Sequence, residues 1–139
     1  MARLMAFDYG SKRLGIAVTD PMQMIANGLT TIHPKDIISF LKTYLQTEQV
    51  EAFIVGQPKQ MDGSASQSAP LVNAFVNLLK KNFPDIKVVM VDERFTSKMA
   101  SAVIAQSGMS KKAKHNKALV DTISATIILQ SYMEQQSLF

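Results

Sequence analysis

A chain of 139 residues fits one domain on the usual length of roughly 100 to 200 residues, and 47% hydrophobic against 19% charged residues, with 6 glycines and 5 prolines, excludes disordered and fibrous classes. With no cysteine, disulfide scaffolds, thiol nucleophiles and cysteine-ligated zinc are out, and His33 and His115 cannot build a zinc cluster unaided, so any metal should be one that accepts oxygen ligands. Nothing near Met1 has the layout of a leader, and no apolar run approaches the roughly 20 residues that cross a bilayer; the expectation is a soluble cytoplasmic protein without a membrane partner.

Arg3 to Asp8 is an apolar run ending in an acid. After the turn-rich Tyr9-Gly10-Ser11-Lys12-Arg13, Leu14 to Thr19 alternates as a strand does, so the two predict a hairpin. Met24 to Ile32 predicts a third strand interrupted at Asn27-Gly28 by a turn or bulge. Ile37, Ile38, Leu41, Tyr44 and Leu45 recur at helical spacing behind Pro34 and predict a helix over 34–47. Ala52 to Val55 is a buried-type strand, followed by a polar loop from Gly56 and a helix over 65–81. Lys87 to Val91 predicts a fifth strand, ending at Asp92-Glu93-Arg94. A helix over 97–106 stops at Ser107-Gly108, and a long helix follows over 116–135. This order predicts an α/β fold on a five-stranded mixed sheet flanked by helices: the first three strands form an antiparallel meander, and the fourth and fifth lie parallel to the first.

The net charge of +4 is unevenly spread, for between Arg94 and Val120 there are six basic residues and no acidic one. The densest part, Lys111-Lys112-Ala113-Lys114-His115-Asn116-Lys117, suits contact with a phosphate backbone, although an isolated run of this kind more often marks a solvated surface. Acids flank it: Asp92-Glu93 before, Asp121 after.

Those acids, with Asp8, are where surface charge is not expected. Asp8 and Asp92-Glu93 end strands at the C-terminal edge of the sheet, the ligand edge of α/β folds; the bland reading of Asp8 is a turn cap, and that of Asp92-Glu93 a salt bridge with Arg94. On a helical wheel Asp121 falls about 40° from Ala125 and about 20° from Ile128, on a packing face, with Thr126, Gln130 and Glu134 on the solvent side. A carboxylate there is costly unless a cation or hydrogen bonds compensate; the bland reading is an ion pair with Lys117 four residues earlier, the functional one a metal. Were the three acids to converge at about 5 Å, each pair would cost roughly 3 kcal/mol and the set on the order of 10 kcal/mol. Two Mg²⁺ ions balance three carboxylates plus one phosphate oxygen, and such a pair of ions serves phosphodiester hydrolysis.

The run Asp8-Tyr9-Gly10-Ser11-Lys12-Arg13-Leu14-Gly15-Ile16-Ala17, then Gly56-Gln57-Pro58 with Met61-Asp62-Gly63, then Val91-Asp92-Glu93-Arg94-Phe95-Thr96-Ser97, and finally Lys117 with Asp121-Thr122-Ile123-Ser124-Ala125 resembles the YqgF (RuvX) family from first strand to last helix. The resemblance implies an RNase H-like fold, kinship with Holliday-junction resolvases and a role in maturing the 5′ end of pre-16S ribosomal RNA. It also implies Asp8, Glu93 and Asp121 as metal-binding and catalytic acids, although alternation alone does not choose between Asp92 and Glu93. Resolvases of this fold place a second acid at the end of strand four, where this chain has Ile54-Val55-Gly56, and another three residues beyond the helix Asp, where it has Ser124.

The expectation is therefore a Mg²⁺- or Mn²⁺-dependent, two-ion nuclease, a monomer or weak homodimer acting on pre-ribosomal RNA within a precursor particle. Lys12, Arg13, Arg94, Lys98, Lys111, Lys112, Lys114 and Lys117 would grip the substrate backbone. Competing readings are a DNA-junction resolvase, a non-catalytic RNA-binding assembly module, and a phosphate-loop enzyme of the actin and sugar-kinase type, which needs a second lobe that 139 residues do not supply.

Overall fold

The computed structural model describes residues 2–10, 12–57, 69–92 and 117–137. Strands β1 (Arg3–Tyr9), β2 (Leu14–Thr19) and β3 (Ala26–Ile32) form the antiparallel meander. β4 (Val50–Gln57) pairs parallel to β1, and β5 (Lys87–Asp92) parallel to β4, giving the sheet order β3-β2-β1-β4-β5. Three helices are described: α1 (Ile37–Tyr44), α2 (Ala69–Asn82) and α3 (Lys117–Ser137). Among the described residues no helix is long and apolar enough to cross a membrane.

Because successive side chains of a strand point to opposite faces, each central strand feeds two cores. On one face Met5, Phe7, Leu14, Ile16, Phe53 and Val55 pack with Ile37 and Leu41 of α1 and with Val72, Phe75 and Leu79 of α2. On the other, Leu4, Ala6, Ala17, Ala52, Ile54 and Val91 meet Ala125, Ile128, Leu129 and Tyr132 of α3. The first face carries large side chains. The second is floored by alanines, with Gly15 and Gly28 further out, so α3 can lie close to the sheet. A methyl group added at Gly15 would overlap the backbone carbonyl of Asp121, and one at Gly28 would run into the Thr122 methyl.

The meander and the strand directions are those the sequence predicts; several boundaries differ. β3 begins at Ala26 rather than Met24. The Asp20 carboxylate accepts backbone N–H bonds from Met22, Met24 and Ile25 at 3.1, 2.8 and 2.8 Å, and Gln23 is left-handed at φ 56°, so this stretch is committed to a loop. The hydrogen bond from Ile25, ahead of those from Met24 and Met22, holds the Asp20 carboxyl below its ordinary range. The expected interruption at Asn27-Gly28 is a bulge: Ile16 pairs with Thr30 and Ala17 with Gly28, leaving Leu29 as the extra residue. The helix expected over 34–47 divides into a 3₁₀ turn at Pro34–Asp36 and α1, ending in turns after Tyr44. Thr126, expected on the solvent face of α3, is half-buried beside Gly28, whereas Gln130 and Glu134 are exposed. The helix expected over 97–106, and the start of the one expected over 65–81, lie outside the described residues.

The two glycine contacts differ in kind, and that difference is measurable. Gly15→Ala meets backbone and is expected to cost at least about 2 kcal/mol in urea unfolding, within the range of overpacked cores. Gly28→Ala meets only a methyl, so adding Thr122→Ser, which removes that methyl and keeps the hydroxyl, should recover most of its loss.

Candidate active site

The candidate site follows from strand alternation. Leu4 and Ala6 of β1 face α3, and Asp8, next in that period, reaches the strand's end on the same side. Asp8 pairs with Gly15 across β1 and β2, and Gly15 pairs with Thr31 across β2 and β3, so one row crosses three strands. The N-terminal part of α3 lies over that row. Asp121 sits above Gly15 with its Cβ 3.1 Å from where a glycine methyl would stand, and Thr122 Oγ1 is 2.7 Å from Thr31 Oγ1. Close packing at one position and a hydroxyl pair at the next fix where Asp121 arrives.

The result is a cleft of about 250 Å³ lined by Asp8, Tyr9, Gly10, Lys12, Arg13 and Asp121. Its rim is the hairpin between β1 and β2, closed by a hydrogen bond from the Gly10 N–H to the Arg13 carbonyl at 2.8 Å. From this loop Arg13 reaches the helix: its Nε donates to Asp121 Oδ2 at 2.6 Å, with Asp121 only 19% exposed. Tertiary structure, rather than helical spacing, supplies this cationic partner of Asp121.

Of the acids singled out in the sequence, Asp8 and Asp121 thus come together in one cleft, joined by Lys12 and Arg13 from the basic set. Glu93, Arg94, Lys98, Lys111, Lys112 and Lys114 lie outside the described residues, and Lys117 is described only as the first residue of α3. Among the described residues no group of three acids or histidines forms a metal cluster. Two carboxylates nevertheless suit magnesium or manganese, hard cations that take few protein oxygens and complete their shell with water and substrate phosphate. Sequence reasoning missed the positioning parts: Gly15, which lets the helix down, and the Thr31–Thr122 pair, which ties it to β3.

Comparison with known proteins agrees with this architecture. A family model described as "RuvX: Holliday junction resolvase" matches residues 2–135. A protein of Flavobacterium johnsoniae named "Putative pre-16S rRNA nuclease" is 55% identical over 136 residues, covering 98% of this chain and 99% of its own. One of the same name from Bacteroides fragilis is 51% identical over 138 residues, covering 99% and 100%. Among solved structures, RuvC of T. thermophilus in complex with a Holliday junction substrate superposes with a TM-score of 0.55 at 14% identity, covering 98% of this chain and 96% of that one. That likeness identifies the fold as RNase H-like.

The Arg13 contact changes an expectation about stability. Three clustered acids without an internal cation would make Asp121→Asn stabilising in the absence of metal. With Arg13 paired to Asp121, the substitution is instead expected to lower stability in EDTA by up to about 1 kcal/mol, as for other partly exposed ion pairs, with the loss shrinking at high salt. Urea unfolding at two salt concentrations checks both.

Proposed function

The chain belongs to the RuvX family, and from that membership and the paired acids we propose that it is a divalent-metal-dependent nuclease hydrolysing phosphodiester bonds in the 5′-end maturation of pre-16S ribosomal RNA. The observation that carries the reading is the meeting of Asp8 and Asp121, from opposite ends of the chain, in a cleft that also holds Lys12 and Arg13. The naming of the Flavobacterium and Bacteroides relatives supports the choice of substrate.

In this reading Asp8 and Asp121 hold Mg²⁺ or Mn²⁺ with Glu93 as the third acid. Val89 and Val91 pack on the α3 side of the sheet, the side of Asp8, while Val88 and Met90 pack on the other. The choice of Glu93 over Asp92 rests on the family resemblance. Divalent ions so held, two in the full form of the reading, supply Lewis acidity that makes water nucleophilic at neutral pH and offsets charge on the departing oxygen. The protein's own groups do the rest. The carboxylates concentrate negative charge at the sheet edge, where α3 fixes one of them over Gly15. Lys12, Lys117 and, beyond the described residues, Arg94, Lys98, Lys111, Lys112 and Lys114 bind and orient the substrate backbone. One domain in the cytoplasm, alone or as a weak homodimer on a precursor particle, suffices for that role.

A DNA-junction resolvase is the second reading, favoured by the description of the family model. Against it stand Gly56 in strand β4 and Ser124 in α3, which is buried at 2% exposure, at positions where resolvases of this fold carry acids.

Two outcomes are expected. Asp8→Asn and Asp121→Asn should each lower Mg²⁺-dependent cleavage of a pre-16S 5′-end RNA by about 100-fold or more while RNA binding in EDTA persists, since metal positioning is worth several kcal/mol in the transition state; cleavage by the variants equal to wild type contradicts the reading, and preferential cutting of a four-way DNA junction favours the second. RNA affinity should fall steeply between about 50 and 200 mM salt, and a flat dependence in a binding titration would remove the basic residues from the interface.

A further inference from the structure

Resting on the metal-dependent reading above, we propose that Arg13 is a resident counter-cation: without metal its guanidinium neutralises Asp121, and when a divalent ion binds it is displaced and becomes a contact for the substrate phosphate. The site would then be self-neutralised when idle and would gain a phosphate ligand only when metal-loaded.

Three observations carry this. The Arg13 Nε is 2.6 Å from Asp121 Oδ2, inside the cleft that Asp8 also lines, so the guanidinium occupies one oxygen of the carboxylate that would hold the metal. A guanidinium and a divalent ion that share one carboxylate repel, so the binding of either weakens the hold of the other. The main chain of Arg13 is pinned by the hydrogen bond that closes the hairpin, while its side chain is 44% exposed, so the anchor is fixed and the head can swing. What it swings toward follows from its chemistry: a planar fork of donors at the mouth of an anion-handling cleft matches a phosphodiester better than any other group expected there.

If pairing with Arg13 opposes metal binding, removing the arginine must tighten it, by the factor by which the ion pair is favoured; for a partly exposed pair that is roughly two- to fivefold. Loss of any nearby positive charge would also help a cation, so a control is needed, and Lys12 supplies it: it lines the same cleft with the same charge and makes no ion pair with Asp121. Arg13 is exposed enough for its replacement to leave both cores intact.

The test is Mn²⁺ binding by calorimetry to the full-length wild type, Arg13→Gln and Lys12→Gln, together with binding of a single-stranded RNA in EDTA and in Ca²⁺. Arg13→Gln should bind Mn²⁺ roughly two- to fivefold tighter than wild type, and more tightly than Lys12→Gln does. Its RNA affinity should drop severalfold more in Ca²⁺ than in EDTA, because only in the loaded protein is the guanidinium free to reach phosphate. Equal Mn²⁺ affinity of Arg13→Gln and wild type, a gain no larger than that of Lys12→Gln, or an RNA loss equal in EDTA and Ca²⁺ would overturn the role given to Arg13 and leave the metal-dependent reading standing. A wild type that binds no Mn²⁺ would overturn that reading itself, and this one with it.

Discussion

The contact between α3 and β2 at Gly15 is the constraint on which the rest depends. A helix normally stands off a sheet by the thickness of two layers of side chains. Here the sheet side carries Ala6, Ala17 and Ala52 among larger residues and has no side chain at Gly15, and the helix backbone at Asp121 settles into the space a methyl would fill there. The residue opposite Gly15 on β1 is Asp8. Lowering the helix at that row therefore does two things together: it closes the second core, and it delivers a carboxylate from late in the chain to one from its start.

Bringing two acids together creates an electrostatic problem, and the hairpin that carries Arg13 answers it inside the protein. The loop between β1 and β2 has its ends set by the Tyr9–Leu14 pair and the Gly10–Arg13 hydrogen bond, so the arginine leaves the sheet edge directly beside the helix. The same short motif thus supplies an acid, a neutral backbone turn and a cation within six residues, Asp8 to Arg13. Calling the cleft a nuclease centre joins that geometry to family membership; the fold alone, shared with RuvC at 14% identity, would not single out one chemistry.

Much of this was legible in the sequence, for identifiable reasons. Period-two patterning in Leu14 to Thr19 and the apolar run Ala52 to Val55 determined the strands, because sheets buried on both faces leave few other arrangements for such segments. Asp8 and Asp121 stood out since a carboxylate at a strand end or on a packing face contradicts the pattern around it. The contact of Asp121 with Arg13, 108 residues away, was not legible. Local spacing cannot reveal a contact made by tertiary packing. Met24 was placed in a strand on hydrophobicity, whereas the Asp20 carboxylate claims its N–H for a loop. Thr126 was assigned to solvent by a wheel that assumes one buried face, and α3 is buried more widely than that.

The proposed metal site has Asp8 and Asp121 sharing one divalent ion, and anomalous diffraction from crystals grown or soaked in millimolar Mn²⁺ checks it. The expected result is a manganese peak bonded to a carboxylate oxygen of each residue, at the roughly 2.0 to 2.2 Å usual for such small divalent ions. A fully occupied manganese found elsewhere, with no peak between these two carboxylates, would contradict it.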